Sequence, residues 1–89
     1  MKDLKDTVNL MTSEDYKERF KGEYWQTKIR YEKLKHFCDW IEAAEMVDHL
    51  DEPQHDCPIY LLREQQKQMG QYLHILELRA IIEAVDLEV

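Results

Sequence analysis

The sequence predicts an all-α protein: an antiparallel two-helix hairpin with a short N-terminal arm, assembling as a homo-oligomer. Three observations predict it. Two long stretches repeat apolar residues at alternating spacings of four and three, the pattern of a helix packed along a neighbour. A single proline-bearing break separates them. Glycine and proline are scarce, two each in 89 residues, and 35% of residues are charged, a composition of long helices rather than of a sheet. The second stretch is apolar nearly all round: eleven of the sixteen residues from Tyr72 to Leu87 are Tyr, Leu, Ile, Ala or Val. A chain this short has little core of its own. Two helices cannot cover such a surface by themselves, so other copies are expected.

The arm is residues 1–12. Leu4, Val8 and Met11 fall at i, i+4 and i+7, enough for one or two helical turns that must dock or stay mobile. Thr12-Ser13-Glu14-Asp15 then reads as a helix start, with Thr12 accepting from the N–H of Asp15 and two acids at the positive end of the dipole. The first helix is predicted at about 13–47, roughly 50 Å long. Phe20, Tyr24, Thr27, Tyr31, Leu34, Cys38 and Ile41 form its seam. A flanking stripe of Trp25, Ile29, Phe37, Trp40 and Ala44 means that it is covered on more than one side. Gly22 costs about 1 kcal/mol against Ala in a helix and points to a kink or a close contact.

Residues 48–57 form the turn. Pro53 stops any helix there. Pro58 suits the first helical position, with Asp56 or Cys57 as the cap. The second helix is predicted at about 58–86, so the hairpin as a whole spans 13–89. Its seam is Leu62, Gln66, Met69, Leu73, Leu76 and Ala80. Folding the chain evenly about the turn sets Tyr31 near His74, Leu34 near Gln71 and Tyr24 near Ile81. Tyr72, Ile75, Leu78, Ile82 and Val85 make a second apolar face, which needs a subunit or the arm to cover it.

Composition narrows the function. The net charge is −7 and the pI near 5.0, against the basic character of a duplex-DNA binder. No apolar run reaches the roughly 18 residues of a membrane span, and the polar start Met1–Asp6 is no signal peptide. The expected setting is therefore a cytoplasm, with Cys38 and Cys57 as reduced thiols. His36, Cys38, His49, His55 and Cys57 lack CxxC or HxxxH spacing, so no metal and no cofactor is expected. Ser13 is the only serine, Cys38 sits on the seam, and no glycine-rich loop is present. These features do not describe an enzyme.

Cations and aromatics are more suggestive. Lys17, Arg19, Lys21, Lys28, Arg30, Lys33 and Lys35 place seven of the twelve basic residues on the first helix, interleaved with Tyr24, Trp25 and Tyr31. A ring can stack a base while a neighbouring cation holds a phosphate. The candidate ligand-binding residues are Tyr24, Lys28, Tyr31, Gln66, Tyr72 and Arg79. Arg79 stands among Leu76, Leu78, Ala80, Ile81 and Ile82 and must be paired or reach solvent. Glu77, Glu83 or Glu23 could pair it; otherwise it meets an anionic ligand between subunits. His74 reads as a hydrogen-bonded core histidine.

Cys57-Pro58-x-x-Leu61-Leu62, then Gln65, Met69, and Tyr72-Leu73-His74-Ile75-Leu76-Glu77-x-Arg79-Ala80, resemble a family of small helical phage and prophage proteins related to a crAss-like phage protein. Tyr16-Lys17-Glu18-Arg19-Phe20 and Arg30-Tyr31-Glu32-Lys33-Leu34 extend the resemblance over about residues 14–87. It implies a phage setting. In size and hairpin plan the chain is also similar to phage anti-CBASS and anti-Thoeris sponges, which sequester nucleotide signals. The expectation is a non-catalytic protein that sequesters a small anionic nucleotide signal, cyclic or of ADP-ribose type, between helical subunits. The alternative is an interaction module that docks on a host or phage protein through its second apolar face.

Overall fold

The computed structural model describes residues 1–88. A 3₁₀ turn at Leu4–Thr7 runs into α1, Val8–Met11; α2 is Tyr16–Met46 and α3 is Ile59–Glu83. Every regular element among the described residues is helical. The two long helices run antiparallel, and the molecule measures 50 × 24 × 20 Å.

The arm docks on α2. Its turn is closed by a capping box in which the Asp6 carboxylate accepts from the N–H groups of Lys2 and Asp3. Thr7 is buried, and its hydroxyl donates to the Leu4 carbonyl at 2.7 Å. Gly22 makes the docking possible. A Cβ there would lie 2.9 Å from both the Cγ and the backbone nitrogen of Met11. Of the two roles open to Gly22, the structure shows the close contact, and α2 continues through it as one helix.

The helix starts lie later than the sequence suggests. Thr12 does not cap α2; its hydroxyl donates to the Val8 carbonyl at 2.8 Å and closes the arm instead. Asp15 takes the cap and accepts from the N–H of Lys17 at 3.1 Å. Ser13 accepts from the N–H of Asp15. Pro58 is itself the cap residue of α3, extended at φ −63° and ψ 147°, one position before the helical site expected for it.

The end of α3 also differs. The helix stops at Glu83, and Ala84 is left-handed at φ 56° and ψ 46°. The Val85 N–H turns back to the Ala80 carbonyl at 2.8 Å. Val85 therefore does not belong to the second apolar face. It is buried in the core beside Phe20, Tyr24, Leu73, Leu76 and Ala80, with Trp25, Tyr31 and Leu87 packed at the edge. The Trp25 indole N–H donates to the Leu87 carbonyl at 2.6 Å and fastens this hook.

The register between α2 and α3 differs by one helical turn from an even fold. The Tyr24 hydroxyl meets Glu77 rather than Ile81. The Tyr31 ring lies against Gly70 rather than His74; a Cβ on Gly70 would be 3.2 Å from Tyr31 Cε1. Near the loop, Cys38 and Ile41 are fully buried. Arg63 there bridges the helices, reaching Asp39 at 3.0 Å and Glu42 at 3.1 Å. Burial pushes the Cys38 thiol up, which fits a packing residue and not a nucleophile.

Two outcomes follow from these contacts. Gly22→Ala gains about 1 kcal/mol of helix propensity but drives the arm off α2. Hydrogen exchange should then show lost protection across residues 4–12 with α3 unchanged; retained arm protection would contradict the close contact. Ala84→Gly removes a left-handed strain of about 1–2 kcal/mol. Thermal denaturation should show a higher midpoint, and a lower one would refute the strain.

Candidate ligand-binding surfaces

The outer face of α3 is uncovered. Tyr72, Ile75 and Leu78 are exposed, and Ile81 and Ile82 stand 78% and 80% open. Arg79 lies beside them. Its Nε donates to Glu83 Oε2 at 2.7 Å, one turn on, and its Nη2 donates to the Tyr16 hydroxyl at 2.7 Å. The Tyr16 hydroxyl also donates to Glu83. The guanidinium carbon sits 4.9 Å from the centre of the Phe20 ring. Glu83, one of the three expected carboxylates, thus supplies the partner, and Tyr16 adds a contact that spans the hairpin.

This cluster is electrostatically consistent. Arg79, then Tyr16, hold the Glu83 carboxyl below its usual range. The Glu83 hydrogen bond pushes the Tyr16 hydroxyl up. Among the described residues no acceptor meets Arg79 Nη1. The result is a guanidinium held in orientation by three contacts with one nitrogen still able to donate.

The other candidate residues are scattered within one chain. Tyr24 is a core residue whose hydroxyl donates to Glu77 Oε2 at 2.8 Å, and its ring packs edge-on to Trp25 at 5.5 Å. Burial, then Glu77, push its pKa to about 12. Tyr31 is half-buried against Gly70. Gln66 accepts from Arg63 Nη1 at 2.6 Å. Lys28 is half-exposed and faces Glu32 at 3.7 Å, a pairing worth only tenths of a kcal/mol at such a surface. It lines a shallow groove of about 230 Å³ with Lys2, Trp25, Ile29 and Lys33. Lys28 sits about 18 Å along α2 from Tyr16, so it and Arg79 do not meet within one chain. His74 is exposed rather than a core histidine.

A larger groove of about 580 Å³ opens between α2 and the loop, lined by Lys33, His36, Phe37, Trp40 and Pro53 with Glu32 at one end. The flanking stripe contained Phe37 and Trp40, but helical spacing marks a side as apolar without showing what covers it. Ile29 on that stripe is buried, while Trp40 stays 45% exposed.

The loop is held by His55. Its Nδ1 lies 2.6 Å from the Cys57 carbonyl and its Nε2 lies 3.2 Å from Glu52 Oε2. Both partners only accept, so the ring satisfies both when it is an imidazolium. The Cys57 carbonyl, joined by Glu52 and more distantly Glu45, raises its pKa above the usual histidine value against desolvation. Phe37 packs edge-on to the ring at 6.4 Å.

The chain belongs to the Sequestin family, whose family model matches residues 14–82. The match covers both long helices almost completely and omits the arm. No curated protein and no solved structure matches. No described helix is long and apolar enough to cross a membrane. Among the described residues no three His, Cys, Asp or Glu side chains converge as a metal ion would need.

The loop geometry carries a pH expectation. A raised His55 pKa stabilises the closed loop below about pH 6.5, the unfolded value, and that contribution is lost as pH rises through the folded value. Hydrogen exchange, corrected for its intrinsic pH dependence, should show residues 52–58 less protected at pH about 8 than at about 6. His55→Gln should abolish the difference; a difference that survives the substitution would assign it elsewhere.

Proposed function

We propose that this protein sequesters a small anionic nucleotide signal, without turnover, in sites completed where subunits meet. The proposed setting is phage infection, in the cytoplasm of the bacterial host. The observation that carries the reading is the oriented Arg79 guanidinium, with Nη1 free to donate among the described residues, at the edge of the uncovered α3 face. Membership in a family whose name denotes sequestration supports it.

Apolar side chains such as Ile75, Leu78 and Ile82 favour association, because each exposed aliphatic group gains on leaving water. A second copy there brings new side chains towards Arg79. In this reading Arg79 of one subunit and Lys28 of another hold phosphates. Tyr72 is the exposed candidate tyrosine and carries the stacking, with Tyr31 and then Tyr24 less accessible. Gln66 reads the base edge once it exchanges Arg63. A second reading rests on the same apolar face: it docks on a different protein.

Light scattering after size exclusion, with calorimetry against cyclic di- and trinucleotides and cyclic ADP-ribose isomers, tests the proposal. The expected result is an oligomer that binds at least one of these and releases it intact on heating. Arg79→Gln should weaken binding by about 10- to 100-fold, the range for losing a charged hydrogen bond. A monomer at micromolar concentration, or no affinity better than about 10 μM for any of them, would remove it. One stoichiometric protein partner with no nucleotide bound would favour the second reading.

A further inference from the structure

The groove beside Trp40 has chemistry of its own. Its volume, about 580 Å³, falls within the roughly 300–1,000 Å³ of small-molecule sites. Its apolar walls are flat: the Phe37 ring, the exposed Trp40 indole and Pro53. The His55 ring packs edge-on with Phe37, at 6.4 Å and an interplanar angle of 89°. The loop residue His55 is itself tied to Glu52 and Cys57.

The polar groups at its edge are two nitrogen-bearing side chains, Lys33 and His36, and one acid, Glu32. The Trp40 indole N–H donates to His36 Nε2 at 3.3 Å. A neutral His36 therefore carries its proton on Nδ1, which is a donor. Lys33 forms no ion pair among the described residues. The one acid in the lining, Glu32, faces Lys28 at 3.7 Å. Flat apolar walls beside an ammonium and an imidazole donor suit a ligand with a flat apolar part and a negative part.

From this placement we infer that the groove is a second binding site, for a planar aromatic ring that carries an anionic group. The ring lies against Trp40 and Phe37, and the anion meets Lys33 with His36 Nδ1. The site is separate from the outer face of α3 and does not need a second subunit. It stands whether or not the protein sequesters a nucleotide through Arg79.

Adenosine monophosphate carries both parts, and adenosine and inorganic phosphate carry one each. The test follows the indole N–H resonance of Trp40 in ¹H–¹⁵N spectra, assigned by its loss in Trp40→Phe. Adenosine monophosphate should shift that resonance saturably, at least about tenfold more tightly than adenosine or phosphate alone. Lys33→Gln should bring its affinity down to that of adenosine, and Arg79→Gln should leave the titration unchanged, with spectral dispersion confirming that both variants are folded. 1-Naphthalenesulfonate, a ring and an anion without a base, should also shift it. A Trp40 resonance unmoved by either probe overturns the inference, even where calorimetry finds a nucleotide bound elsewhere. So does a titration indifferent to Lys33→Gln. A Trp40 shift with the sulfonate while no nucleotide binds supports the groove and removes the Arg79 reading instead.

Discussion

Tyr24 enters the core with its hydroxyl on Glu77, and two turns later Tyr31 lies against Gly70. These two contacts set how α3 sits along α2. A slide of one turn would place an isoleucine opposite the Tyr24 hydroxyl. It would also replace Gly70 by a residue with a side chain where the Tyr31 ring needs space. A buried hydroxyl without a partner costs about 1–3 kcal/mol, a large share of the stability of so small a domain. The same register brings Arg63 between Asp39 and Glu42 and brings Arg79 to Tyr16 and Phe20. The polar staples at the two ends of the hairpin therefore depend on the tyrosines between them.

The apolar surface is covered from two sides and left open on a third. The arm lies on α2 through Gly22, and the C-terminal hook folds Val85 and Leu87 onto Phe20, Tyr24 and Trp25. Ala84 makes the hook possible at the expense of a left-handed backbone. Neither cover reaches Tyr72, Ile75, Leu78, Ile81 or Ile82. Arg79 is a boundary residue: its stem lies beside this open face, while its guanidinium turns back to the α2 start. A charge held this way keeps one donor outward without the desolvation of a fully buried ion.

Several features were legible from residue spacing. The two helices, the proline break and the excess apolar surface on α3 all follow from periodicity. Spacing also put Glu83, at i+4, among the three carboxylates open to Arg79, and marked Gly22 as either a kink or a close contact; the docked arm decides for the contact. Others were not legible. Thr12 and Asp15 are both good caps, and which is used depends on whether the arm helix claims the Thr12 hydroxyl. Val85 continues an apolar stripe in sequence, yet the helix stops before it. The groove at Phe37 and Trp40 was hidden because an aromatic stripe has the same spacing whether it is packed or open. Five of the six candidate binding residues are cationic or aromatic, Gln66 being neither, but a single chain leaves Arg79 and Tyr72 on α3 apart from Lys28 on α2.

By itself the sequence determined that two long helices form, where the chain breaks, and that α3 carries more apolar surface than one partner helix can cover. Those properties are local, since they depend on side-chain spacing and backbone chemistry along one strand of chain. The tertiary structure alone decided the register, the burial of Val85 and the opening beside Trp40. The physical reason is that a heptad pattern repeats itself every turn or two, so sliding one helix past another preserves its apolar match. Only the particular fit of a hydroxyl to a carboxylate, of a ring to a glycine and of a loop to a helix face selects among the alternatives.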